Sequence, residues 1–160
     1  MKCLLLSLLL LLTVTLVATA ETEIFIVRHA EKAQVSGDAK DPGLSDAGQK
    51  RADSLRQMLR DAGVTAVFAT EFKRTQQTAE PIANAEGAPV NIVPAQDIEG
   101  LLSRLRDVKG NALVIAHSDT IPAIITGLGV AATIFVGEAD YDNFFVVRSD
   151  EPPRLLHLHY

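Results

Sequence analysis

Cysteine is nearly missing from this chain: Cys3 is the only one in 160 residues. It lies in a segment that reads as a leader. Met1-Lys2 gives a short basic start, residues 4–16 are almost wholly apolar, and Ala18-Thr19-Ala20 is an A-x-A cleavage site, the layout of a secretory signal peptide. An uncleaved anchor is the alternative. The 15 residues from Leu4 to Ala18 fall short of the roughly 20 that a spanning helix needs. The expectation is export, periplasmic or secreted, with cleavage near Ala20 and a mature chain that is not embedded in a membrane. Residues 21–160 then form a single domain of 140 residues, enough for a real core. That domain has no disulfide, no thiol nucleophile and no cysteine-ligated zinc site.

Positive charge is also short. The formal charge of −5 becomes −6 once Lys2 is lost, and the pI is near 5.3. No basic field is available to attract nucleic acid, so polyanionic partners are not expected. A small phosphorylated substrate is still compatible, because local arginines can outweigh a weakly acidic whole. Internal repeats, low-complexity tracts and dividing linkers are all missing.

What is present is an alternation of apolar runs and helical patterns. Residues 23–28, 64–69, 90–93, 112–117, 143–148 and 154–159 read as strands. Helices are predicted over 45–61, 74–85 and 98–108, with a fourth beginning near Asp119. Ser45 caps the first, whose stripe is Leu55, Met58, Leu59 and Ala62 before Gly63 stops it. Pro81 predicts a kink or a late start in the second. Ile98, Leu101, Leu102 and Leu105 stripe the third, and Pro122 suits the first turn of the fourth. This order gives α/β: a three-layer α/β/α sandwich with a mostly parallel sheet and an antiparallel edge made by the last two strands. Residues 30–44 form a long connection that could roof a pocket.

Chemistry collects at the strand ends. Arg28-His29-Ala30-Glu31 ends the run Ile24-Phe25-Ile26-Val27, His117 ends Ala112-Leu113-Val114-Ile115-Ala116, and Arg74 follows residues 64–69 closely. The carboxyl ends of strands in an open α/β sheet line the ligand crevice. Two guanidinium groups there can neutralise a phosphoryl dianion and brace its equatorial oxygens. A neutral imidazole can attack phosphorus while its other nitrogen holds a proton against a backbone carbonyl. His117 would serve as a second donor to the phosphoryl oxygens, aided by amides opening the last helix.

These residues also carry a resemblance. Val27-Arg28-His29-Ala30-Glu31, Leu44-Ser45-Asp46-Ala47-Gly48, residues 70–79 (Thr70-Glu71-Phe72-Lys73-Arg74-Thr75-Gln76-Gln77-Thr78-Ala79) and Val114-Ile115-Ala116-His117-Ser118 resemble the histidine phosphatase superfamily, also called phosphoglycerate mutase-like. The chain looks like the small bacterial members, including those of the SixA type. The resemblance implies a metal-independent enzyme without cofactors. His29 would be the phosphorylated nucleophile, with Arg28, Arg74 and His117 completing the phosphate pocket. Its substrate would be a small phosphorylated molecule or a phosphohistidine protein.

The proton donor is less defined. Many members of that superfamily carry an acid on a segment inserted after the second arginine, where this chain has only residues 87–100. Asp97 and Glu99 are the candidates there, Asp119 is a further possible acid, and Glu31 and Glu71 are more distant choices. Each could instead be a cap or an exposed carboxylate, and Asp119 could cap its own helix. His157 and His159 share one face of the last strand and read as solvated rather than metal-binding. Tyr141 could rim the pocket or merely precede a turn. A phosphoglycerate-type mutase and a phosphate-binding domain without turnover are the rival functions.

Overall fold

The computed structural model describes residues 22–34 and 40–160. The leader, the cleavage site and the middle of the 30–44 connection lie outside the described residues. Six strands form one sheet: β1 (Glu23–Arg28), β2 (Val64–Ala69), β3 (Val90–Ile92), β4 (Asn111–Ala116), β5 (Asn143–Arg148) and β6 (Arg154–His159). Their order is β3-β2-β4-β1-β5-β6. The first four are parallel, and β5 and β6 add antiparallel at one side.

Strand periodicity of two sends alternate residues to opposite faces. Ile24 and Ile26 of β1, with Val114 of β4 and Phe145 of β5, pack against Leu101, Leu105, Ile121 and Ile124. The residues between them, Phe25, Val27, Leu113, Ile115 and Phe144, pack against Leu55, Leu59, Ala79 and Ile82. The two helix layers follow: α1 (Asp46–Leu59) and α2 (Lys73–Glu86) on one face, α3 (Ile98–Asp107) and α4 (Ile121–Gly127) on the other. This is the three-layer α/β/α arrangement.

Several boundaries differ from the sequence reading. β4 closes at Ala116 and leaves His117 just beyond the ladder. α2 neither starts late nor breaks; it begins at Lys73 and carries Pro81 in its interior. α4 starts at Ile121, two residues after Asp119, with Pro122 in its first turn as expected. Met58 does not belong to the buried stripe, being 43% exposed, because α1 turns only Leu55 and Leu59 of that set fully inward.

The 30–44 connection is tied at its base. Lys32 bridges Leu44, and the Ala33 amide donates to the Gly43 carbonyl at 2.9 Å. The Ser45 hydroxyl caps α1 by accepting from the Gly48 amide at 3.1 Å. Gly48 itself is needed for close approach: a Cβ there would sit 2.3 Å from the Glu31 carbonyl oxygen. Gly48→Ala must push α1 away from the end of β1, and is expected to cost about 1–3 kcal/mol of stability. Urea denaturation checks this, and an unchanged midpoint would contradict the close packing of α1 on Glu31.

Candidate active site

The cleft forms where β1, β2 and β4 end. Arg28 closes β1 and is 1% exposed, so its charge needs partners. Nη1 donates to the carbonyls of Gly137 and Glu138 at 3.1 and 2.6 Å, and Nη2 pairs with the Glu138 carboxylate at 3.2 Å. The guanidinium also lies 4.3 Å from the centre of the Tyr141 ring. Among the described residues its buried Nε–H has no partner.

His29 follows and is 3% exposed. Its amide donates to the Ala116 carbonyl at 3.0 Å, which fixes it one step past the β1–β4 ladder. Nδ1 lies 2.8 Å from the Ala30 carbonyl oxygen. A carbonyl can only accept, so Nδ1 carries the proton and Nε2 keeps its lone pair. Burial lowers the His29 pKa to about 3, helped by the charges of Arg28 and Arg74 and opposed by the Ala30 carbonyl. The ring is therefore neutral at ordinary pH.

That shift has a cost in acid. The unfolded chain takes up a proton on this ring below its ordinary value of 6.5, while the folded chain does not until about 3, so folding weakens as pH falls through that window. Between pH 7.5 and 4.5 the wild type is expected to lose about 2–3 kcal/mol more stability than His29→Asn, whose amide can still donate to Ala30. Paired urea titrations at the two pH values measure this; equal losses would mean that His29 is charged in the folded state.

His117 stands opposite, 8% exposed, with its ring centre 5.4 Å from that of His29. Phe72 meets it edge-on at 5.4 Å. Its Nε2 is 3.0 Å from the Thr70 hydroxyl, which in turn is 2.9 Å from the Thr75 hydroxyl. Thr75 lies 2.8 Å from the Phe72 carbonyl and 3.1 Å from that of Thr70, so its single proton goes to a carbonyl. Thr70 must then donate to Thr75 and accept from His117. The network places the His117 proton on Nε2. Burial, and then the Arg74 charge, lower the His117 pKa. The ring thus spends its proton on Thr70, and it donates to an oxyanion from Nδ1 only after gaining a second proton.

Arg74 comes from the first turn of α2. Its guanidinium lies 4.2 Å from the Phe72 ring centre and 3.7 Å from the Asp41 carboxylate. Its Nε–H, too, is buried without a partner among the described residues. Arg28, His29, Arg74 and His117 all line one cleft. Two guanidinium groups and a free imidazole nitrogen thus share one cleft, an arrangement suited to a tetrahedral oxyanion.

The proposed acids separate. Asp97 caps α3 by accepting from the Gly100 amide at 2.9 Å, and Glu99 lies exposed in the first turn of that helix; neither lines the cleft. Helix capping and solvent account for both. Glu31 is held by Arg51 at 2.8 Å, and Glu71 accepts from the Ala95 amide at 2.8 Å. Asp119 does line the cleft, exposed, and does not cap α4, which starts after Thr120. The amides of Thr120 and Ile121 both donate to the His117 carbonyl, so they turn into the chain rather than toward an anion.

Lys32, Gln96, Ser118 and Glu138 also line the cleft and were not foreseen from sequence, nor was the Thr70–Thr75 relay. Thr70 and Thr75 flank Arg74 in one motif, and that spacing was the available signal. Glu138 lies in an aperiodic stretch before β5 and offered none. Among the described residues, no cluster of three or more His, Cys, Asp or Glu could hold a metal, and no helix is long and apolar enough to cross a membrane. His157 and His159 stay exposed; His157 stacks on Phe145 at 4.3 Å, and His159 pairs with Asp142 at 3.2 Å.

Residues 24–97 match the sequence profile of the histidine phosphatase superfamily (branch 1). A curated relative, "Probable phosphoglycerate mutase GpmB" of Erwinia tasmaniensis, is 31% identical over 106 residues, which cover 63% of this chain. The matched stretch is 45% of that relative, so the chain spans about half the length of the curated proteins it matches. The fold superposes on the protein histidine phosphatase SixA bound to tungstate with a TM-score of 0.68 at 17% identity, covering 86% of this chain and 96% of that one. A mycobacterial glucosyl-3-phosphoglycerate phosphatase gives 0.61 at 13% identity, covering 88% and 98%. Over residues 24–97 the chain is thus similar to the histidine phosphatase superfamily. Its members include phosphatases and mutases.

Proposed function

We propose that this chain is a phosphatase that works through a phosphohistidine at His29. The observation that carries the reading is the Ala30 carbonyl holding the Nδ1 proton, which leaves Nε2 bare inside a cleft flanked by Arg28 and Arg74. Nε2 attacks phosphorus as the bond to the leaving atom breaks on the opposite side. The departing electron pair takes a proton from water, or from Asp119 at the mouth when that carboxyl group carries one. Water then attacks the phosphoryl group, the P–N bond breaks, and inorganic phosphate leaves with the imidazole restored.

The two guanidinium groups supply the charge neutralisation that a metal could otherwise provide, so turnover should survive chelation. The domain takes in residues 21–160, and export follows from the leader read in residues 1–20. Protein phosphohistidine, phosphomonoesters and small scavenged esters are its candidate substrates.

The purified chain in EDTA should hydrolyse an aryl phosphate and form an acid-labile phosphoenzyme. With Asp119 and Glu138 as the carboxyl groups at the cleft among the described residues, both exposed, it should favour good leaving groups. An aryl phosphate is expected to exceed an alkyl phosphate by at least about a hundredfold in kcat/KM, and equal rates would count against this view of the acid. The name of the curated relatives supports a mutase as the second reading. A mutase would move phosphate between the positions of a phosphoglycerate instead of releasing it. Phosphate binding with no turnover would leave a binding domain.

A further inference from the structure

We propose that Glu138 selects substrates by the charge of their leaving side, favouring neutral or cationic groups over anionic ones. This rests on the phosphatase reading above.

In-line attack fixes where the leaving group goes. His29 is buried at the floor, so the group opposite its Nε2 must depart through the open mouth. Glu138 stands there, held at two points. One carboxylate oxygen is 3.2 Å from Arg28 Nη2, and the other accepts from the Ser118 hydroxyl at 2.8 Å. Yet its side chain is 82% exposed, so the carboxylate faces whatever enters. The Ser118 hydroxyl, and then the Arg28 charge, hold its pKa below the usual range and keep it ionised.

Arg28 does not need this carboxylate for burial, since two carbonyls already accept from its Nη1. Asp119 adds a second negative charge at the mouth, and Lys32 opposes both. The arginines do not compensate further out: Arg28 is engaged by Glu138, and Arg74 faces Asp41. Their Nε–H groups are buried and so do not reach the leaving side. A carboxylate on the leaving side therefore meets like charge without a free arginine, whereas a protonated phosphoimidazole or an amine-bearing ester meets opposite charge. That chemistry places a phosphorylated imidazole ahead of a phosphoglycerate.

Three aryl phosphates with near-equal leaving groups test this: tyramine O-phosphate (cationic), 4-ethylphenyl phosphate (neutral) and the O-phosphate of 3-(4-hydroxyphenyl)propionate (anionic). The wild type should prefer the cationic to the anionic ester by about tenfold in kcat/KM, and Glu138→Gln should shrink that ratio about fivefold. Freeing Arg28 Nη2 strengthens phosphate binding equally for all three and cancels from the ratio. Glu138→Asp should keep most of the preference. In the wild type itself, raising salt from about 0.05 to about 0.5 M should compress the ratio through screening. A ratio unmoved by salt, or unmoved in a folded Glu138→Gln, overturns the proposal while leaving the phosphatase reading intact. No turnover of any ester by the wild type overturns both.

Discussion

His29→Ala should abolish aryl phosphate hydrolysis, by roughly 10⁴-fold or more, and should leave no acid-labile phosphoenzyme. The loss is large because the bare Nε2 of His29 is the imidazole nitrogen that shares the cleft with the guanidinium groups of both Arg28 and Arg74 while its proton is fixed on Ala30. His117 is the other imidazole among the described residues there, and it is tied through Nε2 to Thr70. Removing the ring leaves a gap lined by Arg28, Arg74 and His117, with the Ala30 carbonyl still in place. Free imidazole can enter such a gap, so partial chemical rescue at millimolar imidazole is a second expected result. Steady-state rates and acid quench with labelled substrate measure both. A variant that keeps its phosphoenzyme would move the nucleophile elsewhere, and His117 would then be the residue to test.

Arg74→Met comes next in size, with an expected fall of about 10³-fold in kcat/KM. Arg74 is the cleaner of the two arginines for this purpose. Arg28 also anchors Gly137, Glu138 and Tyr141, so its loss would mix chemistry with the collapse of that segment. Among the described residues the Arg74 guanidinium meets Asp41 and the Phe72 face, and Asp41 keeps a second role in accepting from the Lys73 amide at 3.1 Å. The melting temperature of Arg74→Met should therefore stay within a few degrees of wild type. Arg74→Lys should recover only part of the rate, because an ammonium lacks the planar fork and the inward Nε–H. A loss under about tenfold in Arg74→Met would remove this residue from the phosphoryl site.

The preference at Glu138 and the chemistry at His29 are separable by these variants. The first changes ratios between substrates, and the second changes whether any substrate turns over.

Much of this was written in local patterns. β1, β2, β5 and β6 coincide with runs read from the chain: β1 and β5 are buried on both faces and so almost continuously apolar, while the exposed β6 shows the alternation of an edge strand. α1 starts after Ser45, because its hydroxyl satisfies an amide that the helix leaves open. Other readings failed where a local pattern had two uses. Pro81 pointed to a kink or a late start in α2, but the helix begins at Lys73 and runs past the proline, with Thr78, Ala79, Ile82 and Ala83 buried on either side of it. Asp97 and Glu99 looked like acids near the strand ends, yet a carboxylate before a helix is equally a cap, and Asp97 took that role.

The chain alone determined that Arg28, His29 and His117 stand at the ends of apolar runs and that Arg74 follows another closely, because that spacing is a property of consecutive residues. Tertiary structure alone decided which carboxylates face the cleft and which nitrogen of each histidine carries the proton. Those depend on contacts between segments far apart in the chain: Arg28 with Glu138, and Thr70 with His117. Charge and proton placement follow distance in space, and only the folded sheet sets it.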